Sequence, residues 1–260
     1  MTQSLRFPFT ILGIDLATEP GGTGAVRLVV ADRRARAEVV TGVLDDERLV
    51  ALAMEVDVVG LDSPLGWPDA FVDAVTRHHS MIDWPPTDDP KQQRRLLSKR
   101  VTDRFVKQQT GVDVLSVSAD RIGAVAMRAA RFQAPLAAVW GTAASRDGSG
   151  RLLETYPAAA LKRWALPSKG YKGKERVEER RRILADMRGQ APWLDVSAVS
   201  ERCCESDHEL DALVCTLVAL AAKLGATYSP TNQTEEDIAA REGWIHLPTV
   251  SLRELGELLH

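Results

Sequence analysis

Phe9-Thr-Ile-Leu-Gly-Ile-Asp15 is a short apolar run ending in a carboxylate, and the segments on either side of it decide the fold class. A run of this length bounded by a turn reads as a buried strand. The turn is Pro20-Gly-Gly-Thr-Gly24, and Ala25-Val-Arg-Leu-Val-Val-Ala31 supplies a second strand. Arg36-Ala-Glu-Val-Val-Thr-Gly42 is a candidate third. Connections this short join antiparallel neighbours, so the three form a meander. Asp45-Asp46 caps a helix expected over about 47–55, with Leu49, Leu52 and Ala53 on its inner face. Val56-Asp-Val-Val-Gly-Leu-Asp62 is apolar enough to lie inside a sheet, and Ser63-Pro-Leu-Gly-Trp-Pro68 breaks it.

Further along, strand signals become sparse. Residues 69–148 read as a mainly helical insertion, with helices at about 100–109 and 119–132. Arg151-Leu-Leu-Glu-Thr-Tyr156 returns to the sheet and Pro157 stops it; helices follow at about 158–165 and 175–188. Residues 207–224 form the clearest helix, because Leu210, Leu213, Val214, Leu217, Ala221 and Leu224 keep the helical period. Residues 226–260 read as a short C-terminal extension with a strand near 244–247 and a last helix. The whole chain, 1–260, is expected to be one α/β domain: a mixed sheet of an antiparallel three-strand meander plus parallel strands, flanked by helices.

Composition agrees with a globular chain. Of 260 residues, 45% are hydrophobic and 27% charged, which excludes collagen, coiled coil and wholesale disorder. The net charge of −3 gives no global basic field. Cys203, Cys204 and Cys215 are a poor disulfide framework and read as reduced thiols. The first ten residues lack a signal-peptide pattern, and the longest apolar run, 212–222, is too short to span a bilayer. The expectation is a cytoplasmic protein with no membrane partner.

Three of the expected strands end in an acid: Asp15, Asp62 and Glu154. Functional groups in α/β sheets gather at strand ends, where loops splay. The 207–224 helix adds Asp207, His208 and Asp211 near its start. Asp207 and Asp211 border the apolar stripe, and His208 points further out. Asp207 is open to a capping role as well as a chemical one, whereas capping does not explain Asp211, one turn in, where an acid at a buried margin needs a partner. Convergent carboxylates suit Mg²⁺ or Mn²⁺, hard ions that take oxygen ligands. Two such ions can activate a water and stabilise the leaving oxygen of a phosphodiester.

Gly13-Ile-Asp15, Gly60-Leu-Asp-Ser-Pro-Leu-Gly66, Arg100-Val-Thr-Asp-Arg104, Glu154-Thr-Tyr-Pro157 and His208-Glu-Leu-Asp-Ala-Leu213 follow one another in that order. Together they resemble the predicted RNase H-like nuclease family catalogued as domain-of-unknown-function family 429, from about residue 10 to 225. The helix motif also resembles the last catalytic helix of RuvC-type resolvases. The resemblance implies RNase H strand order and a metal-dependent nuclease acting on DNA or RNA. It implies Asp15, Asp62, Glu154 and Asp211 as catalytic metal ligands, with Asp207 and His208 secondary.

Two segments concentrate positive charge. Lys91 to Lys107 includes Arg100 and Arg104, and Ser168-Lys-Gly-Tyr-Lys-Gly-Lys174 is a glycine-rich loop able to approach phosphates. Arg100, Arg104, Lys172 and Lys174 are therefore candidate substrate contacts. Glu175 to Arg182 reads as a solvated helix face instead. Two other classes compete with a nuclease. One is an ATP-dependent phosphotransferase of actin or sugar-kinase type, which begins with a similar meander but normally duplicates it. The other is a non-catalytic module binding nucleic acid or protein.

Overall fold

The computed structural model describes residues 8–259. The first half runs β1 (Phe9–Asp15), β2 (Gly24–Ala31), β3 (Arg34–Val39), α1 (Asp46–Met54), β4 (Val58–Asp62), α2 (Asp69–His79), α3 (Pro90–Ser98), α4 (Val101–Thr110) and α5 (Gly123–Trp140). The second half runs β5 (Leu152–Thr155), α6 (Pro157–Arg163), α7 (Val177–Gln190), β6 (Leu194–Asp195), α8 (Ser200–Glu205), α9 (Asp207–Lys223), α10 (Gln233–Glu242), β7 (Ile245–His246) and α11 (Leu252–Glu257).

One sheet of seven strands has the order β6-β3-β2-β1-β4-β5-β7. β1, β2 and β3 form the antiparallel meander, and β4, β5 and β7 extend it in parallel. This is the RNase H-like arrangement, with a largely helical insertion between β4 and β5. Among the described residues the meander occurs once.

Strand alternation splits the core into two layers. Phe9 and Ile11 face one side with Val26, Leu28, Val58 and Leu153, where α9 packs together with residues of α6, α7 and α11. Leu12 and Ile14 face the other side with Val59, Leu61 and Leu152, under Leu49 and Leu52 of α1 and Phe132 and Leu136 of α5. Every residue of α9 from Leu210 to Ala221 is buried. Full burial of each of its leucines contributes roughly 1.5–3 kcal/mol.

Some element boundaries differ from the sequence reading. β3 starts at Arg34 because Asp32 and Arg33, both at positive φ (49° and 64°), make a tight two-residue hairpin. Asp-Arg is a poor sequence signal for that turn. α5 continues past 132 because Leu136 extends its buried stripe, with Pro135 on the exposed side. The insertion holds two further helices, α2 and α3, and the tail holds α10, capped by Asn232. Among the described residues no helix is long and apolar enough to cross a membrane.

Candidate metal centre

Three glycines bring α9 onto the sheet. Gly13 and Asp15 share the α9 face of β1, and Gly60 and Asp62 share that face of β4, each pair two residues apart. A Cβ on Gly13 would overlap the carbonyl oxygen of Ala212. On Gly60 it would stand 2.6 Å from the Cys215 carbonyl oxygen, and on Gly24 2.5 Å from the His208 carbonyl carbon. The helix backbone therefore rests directly on the strands. The register sets Asp15 beside Asp62, and the first turns of α9 carry Asp211 over both.

One carboxylate oxygen from each of Asp15, Asp62 and Asp211 lies within 4.8 Å of the other two. Asp211 is fully buried. Tyr171 Oη donates to its Oδ1 at 2.8 Å, and Lys172 Nζ stands 2.7 Å from its Oδ2. The Lys172 ammonium is the one partner of that second oxygen among the described residues. His208 Nδ1 lies 2.6 Å from Asp15 Oδ2.

The electrostatics are those of a crowded anionic centre. Burial, then the neighbouring Asp15, holds the Asp62 carboxyl well above the usual carboxylate range. Burial pushes Asp211 up to about 6, with Lys172 opposing and Asp15 adding to the rise. Lys172 is lifted by the three aspartates against the cost of its own desolvation. The bond to Asp15 raises His208. Tyr156, half-buried, is raised by burial and then by Asp62, and it walls a narrow crevice of about 50 Å³ beside that residue.

The donor set fits a divalent ion. Three hard oxygen donors converge, one of them on a fully buried carboxylate whose Oδ2 meets only the half-exposed Lys172 ammonium. Asp15, Asp62 and Asp211 are the residues able to hold it.

Glu154, expected as a fourth ligand, stands outside this cluster. Glu154 is in register with Leu61, so it lies on the opposite face of the sheet from Asp62. Thr155 takes the α9 face instead, its Oγ1 bonded to Cys215 Sγ. Glu154 is buried and engaged by Arg100 through both oxygens, at 2.6 and 2.8 Å, and its Oε2 also accepts from Leu65 N–H. Arg100, expected as a substrate contact, is likewise buried. All five of its donors are used, by Asp103, Glu154 and the Glu242 carbonyl. Glu242 also accepts from Asp69 N–H and Val101 N–H, so this network ties the C-terminal extension to the insertion. Arg104 is half-buried and donates to the Lys99 carbonyl.

The other expected residues fall nearer. Asp207 accepts weakly from Gly173 N–H, at 3.4 Å, and so holds the basic loop rather than joining the triad. Lys174 is exposed on that loop. Thr110, at the end of α4, with Gly111 and Val112 after it and residues 166–169 line one hollow of about 390 Å³, which includes Lys162 and Lys169. Asp113, held low by Lys107 and then by Lys99 and Lys169, lies among these lysines. Tyr171 and Arg180 are the site residues that sequence reasoning missed. Arg180 is buried and donates to the carbonyls of Tyr171, Gly173, Cys204 and Glu205, fixing the loop that carries Lys172. Only the glycines flanking Tyr171-Lys172 marked that loop in the sequence.

The chain belongs to the family described as "Protein of unknown function (DUF429)", whose model matches residues 13–236. No curated protein and no solved structure matches it.

Proposed function

We propose that the protein is a divalent-metal-dependent nuclease of RNase H-like fold that hydrolyses phosphodiester bonds of DNA or RNA. The observation that carries this reading is the convergence of Asp15, Asp62 and Asp211 at the ends of two central strands beneath α9. Three carboxylates gathered so closely, one of them buried, cost desolvation and mutual repulsion, which a structural role alone does not repay.

Asp15, Asp62 and Asp211 would hold Mg²⁺ or Mn²⁺ through carboxylate oxygens, and an ion held there would supply the Lewis acidity that phosphodiester hydrolysis calls for. Tyr171 keeps Asp211 in one rotamer, and His208 does the same for Asp15 from a half-exposed position open to solvent. Lys169 and Lys174 offer positive charge to flanking phosphates, the sequence-independent part of nucleic-acid affinity.

The test is a cleavage panel of single-stranded, duplex and branched DNA and RNA with Mn²⁺, run with wild type and Asp211→Asn. Metal-dependent cleavage that falls by two or more orders of magnitude in the variant supports the reading. Metal-independent binding with no cleavage anywhere on the panel supports a non-catalytic module instead.

A further inference from the structure

We propose that the carboxylate centre takes one divalent cation rather than two, and that the Lys172 ammonium supplies the second positive charge beside it. The inference rests on the reading of the triad as a metal centre and concerns how many ions it holds.

The argument begins with charge. Three carboxylates converge, and the fourth acid of the motif series, Glu154, lies on the opposite face in a closed ion pair with Arg100. One divalent ion and one ammonium neutralise three carboxylates. Two divalent ions beside the same ammonium leave an excess of positive charge next to a fully buried Asp211, in surroundings that screen charge poorly.

Lys172 is also held in place by its loop. Its Nζ stands 2.7 Å from Asp211 Oδ2. The preceding residue, Tyr171, is buried and bonded to the other oxygen of the same carboxylate. Arg180 clamps the carbonyls of Tyr171 and Gly173, the two residues flanking Lys172. The ammonium is thus delivered by a backbone fixed on both sides and belongs to the centre. The side chain itself is 58% exposed, so replacing it leaves the core intact.

Metal-free protein is titrated with Mn²⁺, and bound ions are counted by calorimetry and by loss of the free-ion EPR signal. Wild type and Lys172→Arg bind one Mn²⁺ per chain, and Lys172→Met, which keeps the length and loses the charge, binds two. Circular dichroism confirms that each variant is folded. Two ions in wild type overturn the proposal while leaving the metal centre standing. One ion bound more tightly in Lys172→Met also overturns it, because Lys172 then merely competes for the ion's position. No Mn²⁺ bound by wild type overturns both this proposal and the metal reading beneath it.

Discussion

Gly13 of β1 and Ala212 of α9 touch backbone to backbone, so closely that a methyl group on Gly13 would overlap the Ala212 carbonyl oxygen and crowd Thr216. Asp15 lies two residues after the first partner, and Asp211 immediately precedes the second. The contact that lets the helix settle on the sheet therefore also sets the distance between two members of the carboxylate triad.

Gly13→Ala is expected to lower stability by about 1–3 kcal/mol, the range for overpacking a filled site. Because the strain lifts α9, Mn²⁺ affinity falls with it. Urea unfolding and Mn²⁺ titration of the same preparation check both. Unchanged stability would mean that the helix and strand are not in backbone contact.

Arg100→Ala leaves Glu154 and Asp103 buried without a counter-charge, a loss of about 3–5 kcal/mol. Arg100→Lys restores little, because one ammonium cannot reproduce the two-sided fork. Denaturant midpoints decide the matter. A variant as stable as wild type but weak in nucleic-acid binding would return Arg100 to the substrate surface.

His246 gives the fold a pH dependence of predictable sign. Burial lowers its pKa from 6.5 to about 4, and Nδ1 lies 2.8 Å from Thr227 Oγ1. Well above pH 6.5 both states are neutral and His246 costs nothing. Below it the unfolded chain takes up a proton that the folded chain refuses, so stability falls as pH falls. The loss attributable to His246 is about 2 kcal/mol between pH 6.5 and 5. His246→Gln should flatten this part of the urea-midpoint profile, whereas an unchanged slope would place the titration elsewhere.

Much of this architecture was legible in the residues. The meander follows from short apolar runs and short turns, α9 from an uninterrupted helical period, and Asp211 from standing at a buried margin where capping could not explain it. Glu154 was misplaced because strand parity is set by pairing register, and one residue of slip exchanges the two faces of a sheet. A sequence shows that a strand ends near Glu154; only the pairing of Leu61 with Glu154 shows which way it points. Arg100 carried the same ambiguity, since a buried ion pair and a phosphate contact call for the same residue type. Tyr171 and Lys172 reach the centre through a loop whose path depends on Arg180 and four backbone carbonyls. No local pattern encodes that path.

The central claim is that Asp15, Asp62 and Asp211 hold a divalent cation. Anomalous diffraction from crystals soaked in Mn²⁺ tests it most directly. The account predicts a peak bounded by these three carboxylates, at about 2.0–2.2 Å from an oxygen of each, the range for a small hard cation on carboxylate ligands. A centre still closed by Lys172, with no peak among the three aspartates at saturating Mn²⁺, would contradict it.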